Sequence, residues 1–428
     1  MTGTRADNLA AVVVLCLWMV AHLIQLWGTW PYDLAAVYIA GHFWETGQHA
    51  LVYAAPEHFF GGPAPEWNPT IIELGGAGKG TFPFIYPPVW AALVAPLTRL
   101  MTAQTFFNLA LLVQLPLMAA YVPLAGRIAR PALPAWKWAL VGIVVMESAT
   151  PFFSAINQNQ PSILIGFLIL LAMERSLADA PRSAGLALAL AAAIKITPAV
   201  FALLFVLRRD WRSLGWFLGF AALLLAVDLW LGGMADNRAF LAALRGVGGA
   251  SLVGVVNISA RSLIDYGLAL AFGARIYATE SMYILELPGA LRHLSGLVNL
   301  GLWLGLGGRA IVAARALPDR PRMVVSLLAL SVGLFLFGPL GWQHYYVLPL
   351  ALLPGLLTLP PAGRAFAAAL PALVGANIIL FNMVPADGSS STWYVSFAAG
   401  CWIVTLWQVG SLAHSAAARA GAGAQQAV

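Results

Sequence analysis

The chain has 428 residues, of which 61% are hydrophobic and only 9% are charged. A soluble protein carries about a quarter of its residues as charges, so this composition excludes an ordinary soluble enzyme and indicates an integral membrane protein. The net charge is +6, but the basic residues stand in short clusters between apolar segments, which is typical of cytoplasmic loops and does not indicate a nucleic-acid partner.

Apolar segments follow one another along almost the whole chain. They run near 9–28, 87–101, 104–125, 136–153, 161–174, 183–207, 214–232, 257–273, 288–314, 322–340, 344–359, 365–384 and 393–413. A membrane helix needs about 20 apolar residues, so several segments are too short to cross alone. We expect an all-α polytopic membrane protein, with residues 1–428 forming one domain of about ten to thirteen membrane helices, some broken or re-entrant.

The first large polar stretch, residues 29–86, differs from the other connections in its charge. It holds several acids against one lysine, Lys79, and no arginine. Arg and Lys cluster in three later connections: Arg127, Arg130 and Lys137; Arg208, Arg209 and Arg212; Arg315, Arg320 and Arg322. By the positive-inside rule these clusters are cytoplasmic, and the loop 29–86 is predicted to be extracytoplasmic.

Asp33 lies near the start of that loop, in the stretch "DLAAVYIAGHFWETG". Leu34, Val37, Tyr38 and Gly41 stand at helical spacing, which predicts a short amphipathic helix on the membrane surface. An Asp at the helix start can accept backbone N–H bonds as a cap. A carboxylate at the membrane edge can also deprotonate a hydroxyl. The two roles are not exclusive, and both stay open.

Lys195 interrupts the apolar segment 183–207, which has basic residues at both ends. If both ends are cytoplasmic, the segment is two short halves with Lys195 at their outer apex. If the segment crosses once, Lys195 is near mid-bilayer, at a cost on the order of 3 kcal/mol. The side chain could snorkel to an interface, but a buried lysine calls for a counter-charge, either a phosphate or an Asp/Glu partner.

Two polar motifs flank apolar segments in the first half of the chain. In "FIYPPVW", residues 84–90, the two prolines suit a helix start, and Tyr86 is placed like the interfacial aromatics of membrane proteins. In "INQNQPS", residues 156–162, four amides are consecutive. They form either a solvated turn or a set of hydrogen-bonding groups for sugar hydroxyls or a phosphate: Asn157, Gln158, Asn159 and Gln160.

Two further motifs lie in the second half. "NISARSLIDYG", residues 257–267, contains Asn257, Ser259 and Arg261. Arg261 can pair with Asp265 four residues on or bind a phosphate. "GPLGWQHYYVLPL", residues 338–350, places His344 beside Gln343 and Tyr345. That histidine can be simply interfacial, bind a phosphate or act as an acid or base. No metal-binding, Walker or dinucleotide motif is present.

Six motifs in order resemble glycosyltransferase family 87 of the GT-C superfamily, which includes α-mannosyltransferases that use polyprenyl-phosphate-mannose. They are "YDLAAVYIAGHFWETGQHALVY", "FIYPPVWAALVAPL", "NQNQPSILIGFLILLA", "AAAIKITPAVFALLFVLRRDWR", "NISARSLIDYG" and "WQHYYVLPL". The chain departs from the family pattern at residues 157–160, where the family often has Gly-Gln-x-Asn. It departs again at 257–259, where Asn-Gln-Ser is common.

The resemblance implies a GT-C-like helix bundle and a reaction. Asp33 is the expected general base, and an acceptor hydroxyl attacks the sugar of a lipid-linked donor with inversion. The expected sugar is a hexose, mannose above all, and neither a metal nor a cofactor is expected. The implied partners are a polyprenyl-phosphate-sugar donor, a glycolipid or glycan acceptor and membrane lipids. The protein is expected as a monomer in a bacterial inner membrane, with its active site facing the periplasm or cell exterior.

Binding roles are also expected for the polar residues of the motifs, and the resemblance itself places Lys195 and His344 near the donor phosphate. The residues expected to bind the donor phosphate are Lys195, His344 and Arg261. Those expected to contact substrate are Tyr38, Tyr86, Asn157, Gln158, Asn159, Gln160, Asn257, Ser259, Gln343 and Tyr345. Two other functions stay open: a transporter or flippase of a lipid-linked sugar, whose path the same amides and Lys195 would line, and an inactive scaffold.

Overall fold

The computed structural model describes residues 4–56, 62–249, 251–279, 282–385 and 387–426. Within these ranges the chain is predominantly helical, as the sequence predicts. The α-helices in chain order are α1 Arg5–Leu26, α2 Tyr32–Glu45, α3 His49–Val52, α4 Asn68–Glu73, α5 Pro88–Leu100, α6 Ala103–Ala129, α7 Ala135–Glu147, α8 Thr150–Asn157, α9 Ser162–Leu177, α10 Pro181–Ile194, α11 Leu203–Arg208, α12 Trp211–Gly249, α13 Ala260–Phe272, α14 Gly289–Trp303, α15 Arg309–Ala314, α16 Asp319–Leu336, α17 Val347–Leu352, α18 Ala362–Gly375, α19 Ile378–Asn382 and α20 Gly388–Gln426.

Shorter helical turns connect several of these helices. The 3-10 segments are Pro65–Trp67, Thr197–Ala202, Gln343–Tyr346 and Leu353–Thr358, and a π-helical turn, Leu304–Gly308, joins α14 to α15. Helix α12 is kinked at Gly233, where the backbone takes a positive φ of 65°. Such a φ is readily accessible only to glycine.

The membrane-spanning helices are fewer and longer than the apolar segments of the sequence. Among the described residues, five helices are long and apolar enough to cross a membrane, and the bent pair α8 with α9 would make a sixth. Four other apolar helices have 10 to 17 residues. The all-α polytopic class is therefore confirmed. The five or six candidate spans are fewer than the predicted ten to thirteen membrane helices. The lower end of that range is reached only if the four short apolar helices are counted as well.

The chain divides into two compact units, each made of separate stretches of sequence. The first, here called the Asp33 unit, comprises Trp18–Ala120 and Ala155–Ala250. The second, the His344 unit, comprises Met1–Leu17, Tyr121–Ser154 and Ser251–Val428. Asp33 and Lys195 thus belong to one unit, and Arg261 and His344 to the other.

Small residues allow close helix contacts inside the Asp33 unit. Helix α2 lies against α5 at Gly41, where an added Cβ would come within 2.7 Å of Val94 Cγ1. Helix α10 lies against α12 at Gly185, where an added Cβ would be 2.5 Å from the backbone nitrogen of Phe217. Interfaces between apolar helices depend on such small residues because packing contacts, rather than water exclusion, drive their association in lipid.

Helix α2 forms where the sequence predicts it, but it is not a surface helix with one apolar face. Residues 34–41 and Phe43 are all buried. The periodicity of Leu34, Val37, Tyr38 and Gly41 marks one buried side. Alanines at 35, 36 and 40 fill the other side, and because alanine is common both inside and outside proteins, their burial leaves no periodic signal.

A small antiparallel sheet in the His344 unit was not predicted. Its strands are β1 Ser251–Gly254, β2 Arg275–Ala278 and β3 Met282–Glu286, in the order β1-β3-β2. Val253 faces Tyr283 across the first pair, and Tyr277 faces Ile284 across the second. Buried residues of the sheet and of α13 form a shared core. Strands of four or five residues are too short for period-two alternation to stand out.

Candidate active site

Asp33 is the second residue of α2. The residue at the N-cap position is Pro31, and no side chain caps the helix, so the interpretation of Asp33 as the cap is wrong. A carboxylate in the first helical turn still interacts favourably with the helix dipole. The buried Thr81 fixes the start of the helix by donating from Oγ1 to the carbonyl of Tyr32 at 2.8 Å.

The carboxyl group of Asp33 is partly buried and has two polar neighbours, Gln160 and Lys195. Burial raises the pKa of Asp33 to about 6, because desolvation penalises the charged form. The hydrogen bond from the Gln160 side chain and the positive charge of Lys195 both oppose that rise. A carboxylate with a pKa near 6 is ionised at neutral pH and is a stronger base than an ordinary aspartate, which suits general-base catalysis.

The four-amide stretch forms the turn between α8 and α9, which are bent by 118°. Asn159 takes a positive φ of 45° in this turn, a conformation that Asn tolerates better than most residues. Gln114 Nε2 donates to the Asn159 carbonyl at 2.6 Å and to its Oδ1 at 2.8 Å, and Asn159 Nδ2 donates to the carbonyl of Phe107 at 2.9 Å. The turn is therefore held against α6.

The four amides are not equivalent, and the prediction of a solvated turn is wrong for two of them. Asn159 and Gln160 are buried, at 4% and 3% exposure, with Asn159 bonded to α6 and Gln160 to Asp33. Asn157 is exposed. The Oε1 atom of Gln158 is buried and accepts no hydrogen bond within the described part of the chain. Asn157 and Gln158 are thus the two that remain available to a ligand.

Lys195 lies at a break in its helix. Helix α10 ends at Ile194, and Lys195 is extended, with φ −151° and ψ 134°. The 3-10 helix Thr197–Ala202 follows, with a proline near its start. This break fits the alternative of two short halves. The lysine Nζ lies 6.0 Å from the centroid of the Tyr86 ring, within cation–π range. Its positive charge also lowers the pKa of Asp33, so an acid lies within electrostatic reach of this lysine.

The start of α5 is attached to both α10 and α12. Val89 donates its backbone N–H to Oδ1 of Asp228 at 2.9 Å, and Trp90 Nε1 donates to the carbonyl of Ala193 at 3.0 Å. Sequence reasoning missed Asp228. The signal was present, because an acid inside the apolar segment 214–232 is expected to have a structural or functional partner.

Tyr38 is 1% exposed, and its hydroxyl donates to the carbonyl of Met101 at 2.7 Å. Its ring contacts Phe106 and Phe107. Its placement is that of a packing residue, and the predicted substrate contact receives no support from the geometry.

In the His344 unit, three residues predicted to contact substrate hold the protein's own backbone. Asn257 donates to Leu252 O and Ser262 Oγ and accepts from Gly341 N, so both its amide hydrogens are used. Ser259 is the N-cap of α13 and accepts from the Ser262 N–H. Gln343 Nε2 donates to the carbonyl of Val255 at 2.6 Å. These contacts join the segment after β1 to the segment before α17.

The other polar residues of that unit are more accessible. His344 is half-buried and stacks edge-on with Tyr345 at 4.6 Å between ring centroids. Arg261 is half-buried in the first turn of α13. No ion pair between Arg261 and Asp265 is present among the described residues, and Oδ1 of the buried Asp265 has no hydrogen-bond partner there. Arg261, His344 and Tyr345 stay predictions as ligand-binding residues.

The motif resemblance is tested by comparison with known sequences. A sequence model described as glycosyltransferase family 87 matches residues 84–341, more than half of the chain. The protein belongs to glycosyltransferase family 87. It is therefore a membrane glycosyltransferase, and the resemblance drawn from its motifs is confirmed.

The chain is also similar to a mycobacterial mannosyltransferase. The chain is 26% identical over 326 residues to a polyprenol-phosphate-mannose-dependent alpha-(1-2)-phosphatidylinositol mannoside mannosyltransferase of Mycobacterium tuberculosis (strain ATCC 25618 / H37Rv). The alignment covers 71% of this chain and 68% of the relative.

The family match contains most of the candidate residues, but neither Asp33 nor His344 lies within it. Tyr86, the amide turn, Lys195 and Arg261 lie inside 84–341, whereas Asp33 precedes the match and His344 follows it. No group of three or more His, Cys, Asp or Glu side chains that could hold a metal ion occurs among the described residues. Metal independence stays a prediction.

Proposed function

We propose that this family 87 enzyme transfers mannose from a polyprenyl-phosphate-linked donor to a hydroxyl of a glycolipid or glycan, with Asp33 as general base. The name of the relative supports the donor class, and the phosphatidylinositol mannoside in that name makes a lipid-linked mannoside the first acceptor to test. The observation that carries the catalytic assignment is the carboxyl of Asp33, with its pKa raised to about 6, beside Gln160 and Lys195.

The proposed reaction is a single displacement. Asp33 accepts the proton of the acceptor hydroxyl while the hydroxyl oxygen forms a bond to the anomeric carbon of mannose. The bond from that carbon to the phosphate oxygen breaks, and its electron pair leaves with polyprenyl phosphate. The configuration at the anomeric carbon inverts. The proton on Asp33 then passes to water, which restores the base.

Negative charge grows on the phosphate as the bond breaks, and Lys195 is the proposed partner for it. A fixed cation at the edge of a low-dielectric region stabilises such charge more than the same cation in water. In the absence of donor, the ammonium of Lys195 is balanced by Asp33. Tyr86, Asn157 and Gln158, which belong to the same unit as Lys195, are proposed as sugar or lipid contacts. Arg261, His344 and Tyr345 belong to the His344 unit and stay predictions as ligand-binding residues.

Purified protein in lipid nanodiscs, incubated with labelled polyprenyl-phosphate-mannose and a membrane glycolipid extract, tests this proposal. We expect a labelled glycolipid and free polyprenyl phosphate. Asp33→Asn should lower transfer by roughly 100-fold or more, the usual value of a positioned base. Its thermal stability should not fall, because a neutral amide replaces a desolvated carboxyl.

Glu45→Gln is the matched control, since Glu45 is an acid of the same helix that pairs with Arg99. It should retain transfer. Normal turnover by Asp33→Asn would contradict the catalytic assignment. Movement of unchanged donor across a sealed vesicle, without release of polyprenyl phosphate, would instead identify a transporter of the lipid-linked sugar.

A further inference from the structure

Asp228 is a buried acid in the apolar helix α12, with 7% of its surface exposed. Ionisable residues inside such helices are costly and usually have a task. Its Oδ1 accepts the N–H of Val89, the second residue of α5. Pro88, the first, has no N–H, so Val89 carries the first backbone donor in this helix that lacks a helical acceptor.

Helix α12 also packs against the residue before Val89, Pro88, through a glycine. Gly232 lies four residues after Asp228 and therefore on the same face of the helix. A Cβ at Gly232 would stand 2.6 Å from Cγ of Pro88, so only a glycine leaves room for the proline ring. Helix α12 thus holds the start of α5 at two points. The Asp228 carboxylate accepts the Val89 N–H, and the space above Gly232 holds the Pro88 ring. Together these contacts fix the position and direction of the start of α5.

The next residue, Trp90, links the start of α5 to the end of α10, just before Lys195. Its indole N–H binds the carbonyl of Ala193, two residues before Lys195 and at the last turn of α10. The Lys195 ammonium lies over the ring of Tyr86, within cation–π range. Tyr86 directly precedes the proline pair Pro87–Pro88. Two interactions, Trp90 with Ala193 and Lys195 with Tyr86, therefore join residues 86–90 to the end of α10, and Asp228 anchors residues 86–90 on α12.

We propose that Asp228 and Trp90 are positioning residues that act through Lys195, and that they hold its ammonium where the donor phosphate binds. This inference rests on the function proposed above for Lys195. A flexible lysine loses much rotamer freedom when fixed, and a cation misplaced by about 1 Å can cost on the order of 100-fold in rate. Anchoring the helix end from which Lys195 projects lowers that cost.

A double-mutant cycle between Trp90→Phe and Lys195→Met tests this coupling. Phenylalanine keeps an aromatic ring at this position and removes the indole N–H together with part of the ring volume, a loss of volume that the control Trp138→Phe shares. In the natural background, Trp90→Phe should lower kcat/KM for polyprenyl-phosphate-mannose by about threefold to tenfold, the worth of one hydrogen bond. In the Lys195→Met background the same change should have almost no effect, because the group that it positions is gone.

Asp228→Ala should give the same non-additive pattern, whereas Asp228→Asn should retain near-normal activity, since its amide oxygen still accepts from Val89. Trp138→Phe is the control. It removes an indole bond of similar length, 2.8 Å to the carbonyl of Val122, in the other unit, and should leave activity in both backgrounds unchanged.

Equal losses on Trp90→Phe in both backgrounds, or no loss in either, would overturn the inference while leaving the proposed function standing. Unchanged activity in Lys195→Met, or no transfer by the natural protein, would overturn the proposed role of Lys195 and this inference together. The two failures are therefore distinguishable from one set of four proteins.

Discussion

At the scale of single residues, the basicity of Asp33 is a balance between burial and two polar neighbours. Burial is the largest effect and raises its pKa, while the Gln160 hydrogen bond and then the Lys195 charge lower it, in that order of size. A base works only when deprotonated, so activity should fall as the pH drops through the pKa of the free enzyme. The natural protein is expected to lose kcat/KM below a midpoint of about 6.

Gln160→Ala should move this midpoint to higher pH. The substitution removes a donor that favours the carboxylate, so the proton is held more tightly and the base becomes available only at higher pH. The measurement is kcat/KM across about four pH units around neutrality. Asn157→Ala changes an exposed amide of the same turn and should leave the midpoint in place. A Gln160→Ala profile superimposed on that of the natural protein would show that Gln160 does not act on Asp33.

At the scale of elements, the turn between α8 and α9 joins the candidate base to the helix framework. Asn159 pays a conformational cost in its left-handed backbone, but its side chain bonds to α6. Asn159→Ala should lower the unfolding temperature more than Asn159→Gly, because alanine adds roughly 1–2 kcal/mol of strain. Both lose side-chain hydrogen bonds worth about 1 kcal/mol each.

Asp179 is the matched control for that experiment. It also has a positive φ, 55°, but lies exposed in the turn between α9 and α10. Asp179→Ala should therefore show the backbone cost without the loss of buried bonds, and Asp179→Gly should be neutral or slightly stabilising. If Asn159→Ala and Asp179→Ala shifted the unfolding temperature equally, the contacts of Asn159 with α6 would contribute nothing to stability.

Sequence patterns predicted the elements whose cause is local. The prolines at 87 and 88 mark the start of α5, and Lys195 with Pro198 marks the break after α10, because proline and charge act on the segment that contains them. The sheet and the burial of α2 could not be predicted, since both depend on distant partners. Short strands and alanine-rich helices have little signal of their own.

The site residues show the same division. Asp33 and Lys195 stood out because charges are rare in this chain, and the structure brings them within electrostatic reach of each other. Asn257 and Gln343 looked like sugar ligands, yet they bind backbone carbonyls of their own unit. An amide has the same hydrogen-bonding groups for a carbonyl as for a hydroxyl, so residue type alone cannot separate these uses.

At the scale of the whole molecule, the chain alternates between its two units. Residues of the family match occur in both, so the order of motifs along the sequence does not reveal which of them share a unit. Gln160 and Asp33 are distant in sequence but belong to one unit, together with Lys195. What sequence order does predict is the side of the membrane on which each loop lies, through the distribution of Arg and Lys.

That orientation can be tested with two exposed alanines of the Asp33 unit. Ala77 lies in the loop 29–86, which has one lysine, Lys79, and no arginine. Ala178 lies in the turn between α9 and α10, flanked by Arg175 and Arg182. In a background where the free Cys16 and Cys401 are changed to Ser, Ala77→Cys should react with a membrane-impermeant maleimide in intact cells. Ala178→Cys should react only after the membrane is opened.

This labelling pattern also bears on the proposed chemistry, because Asp33 lies in the same loop as Ala77. Labelling of Ala77→Cys from outside would place the candidate base on the side where a periplasmic or external acceptor arrives. The reverse pattern would put Asp33 on the cytoplasmic side and contradict the positive-inside assignment. Activity of each cysteine variant in nanodiscs shows that the labelled protein is folded, so that the orientation measured is that of the working enzyme.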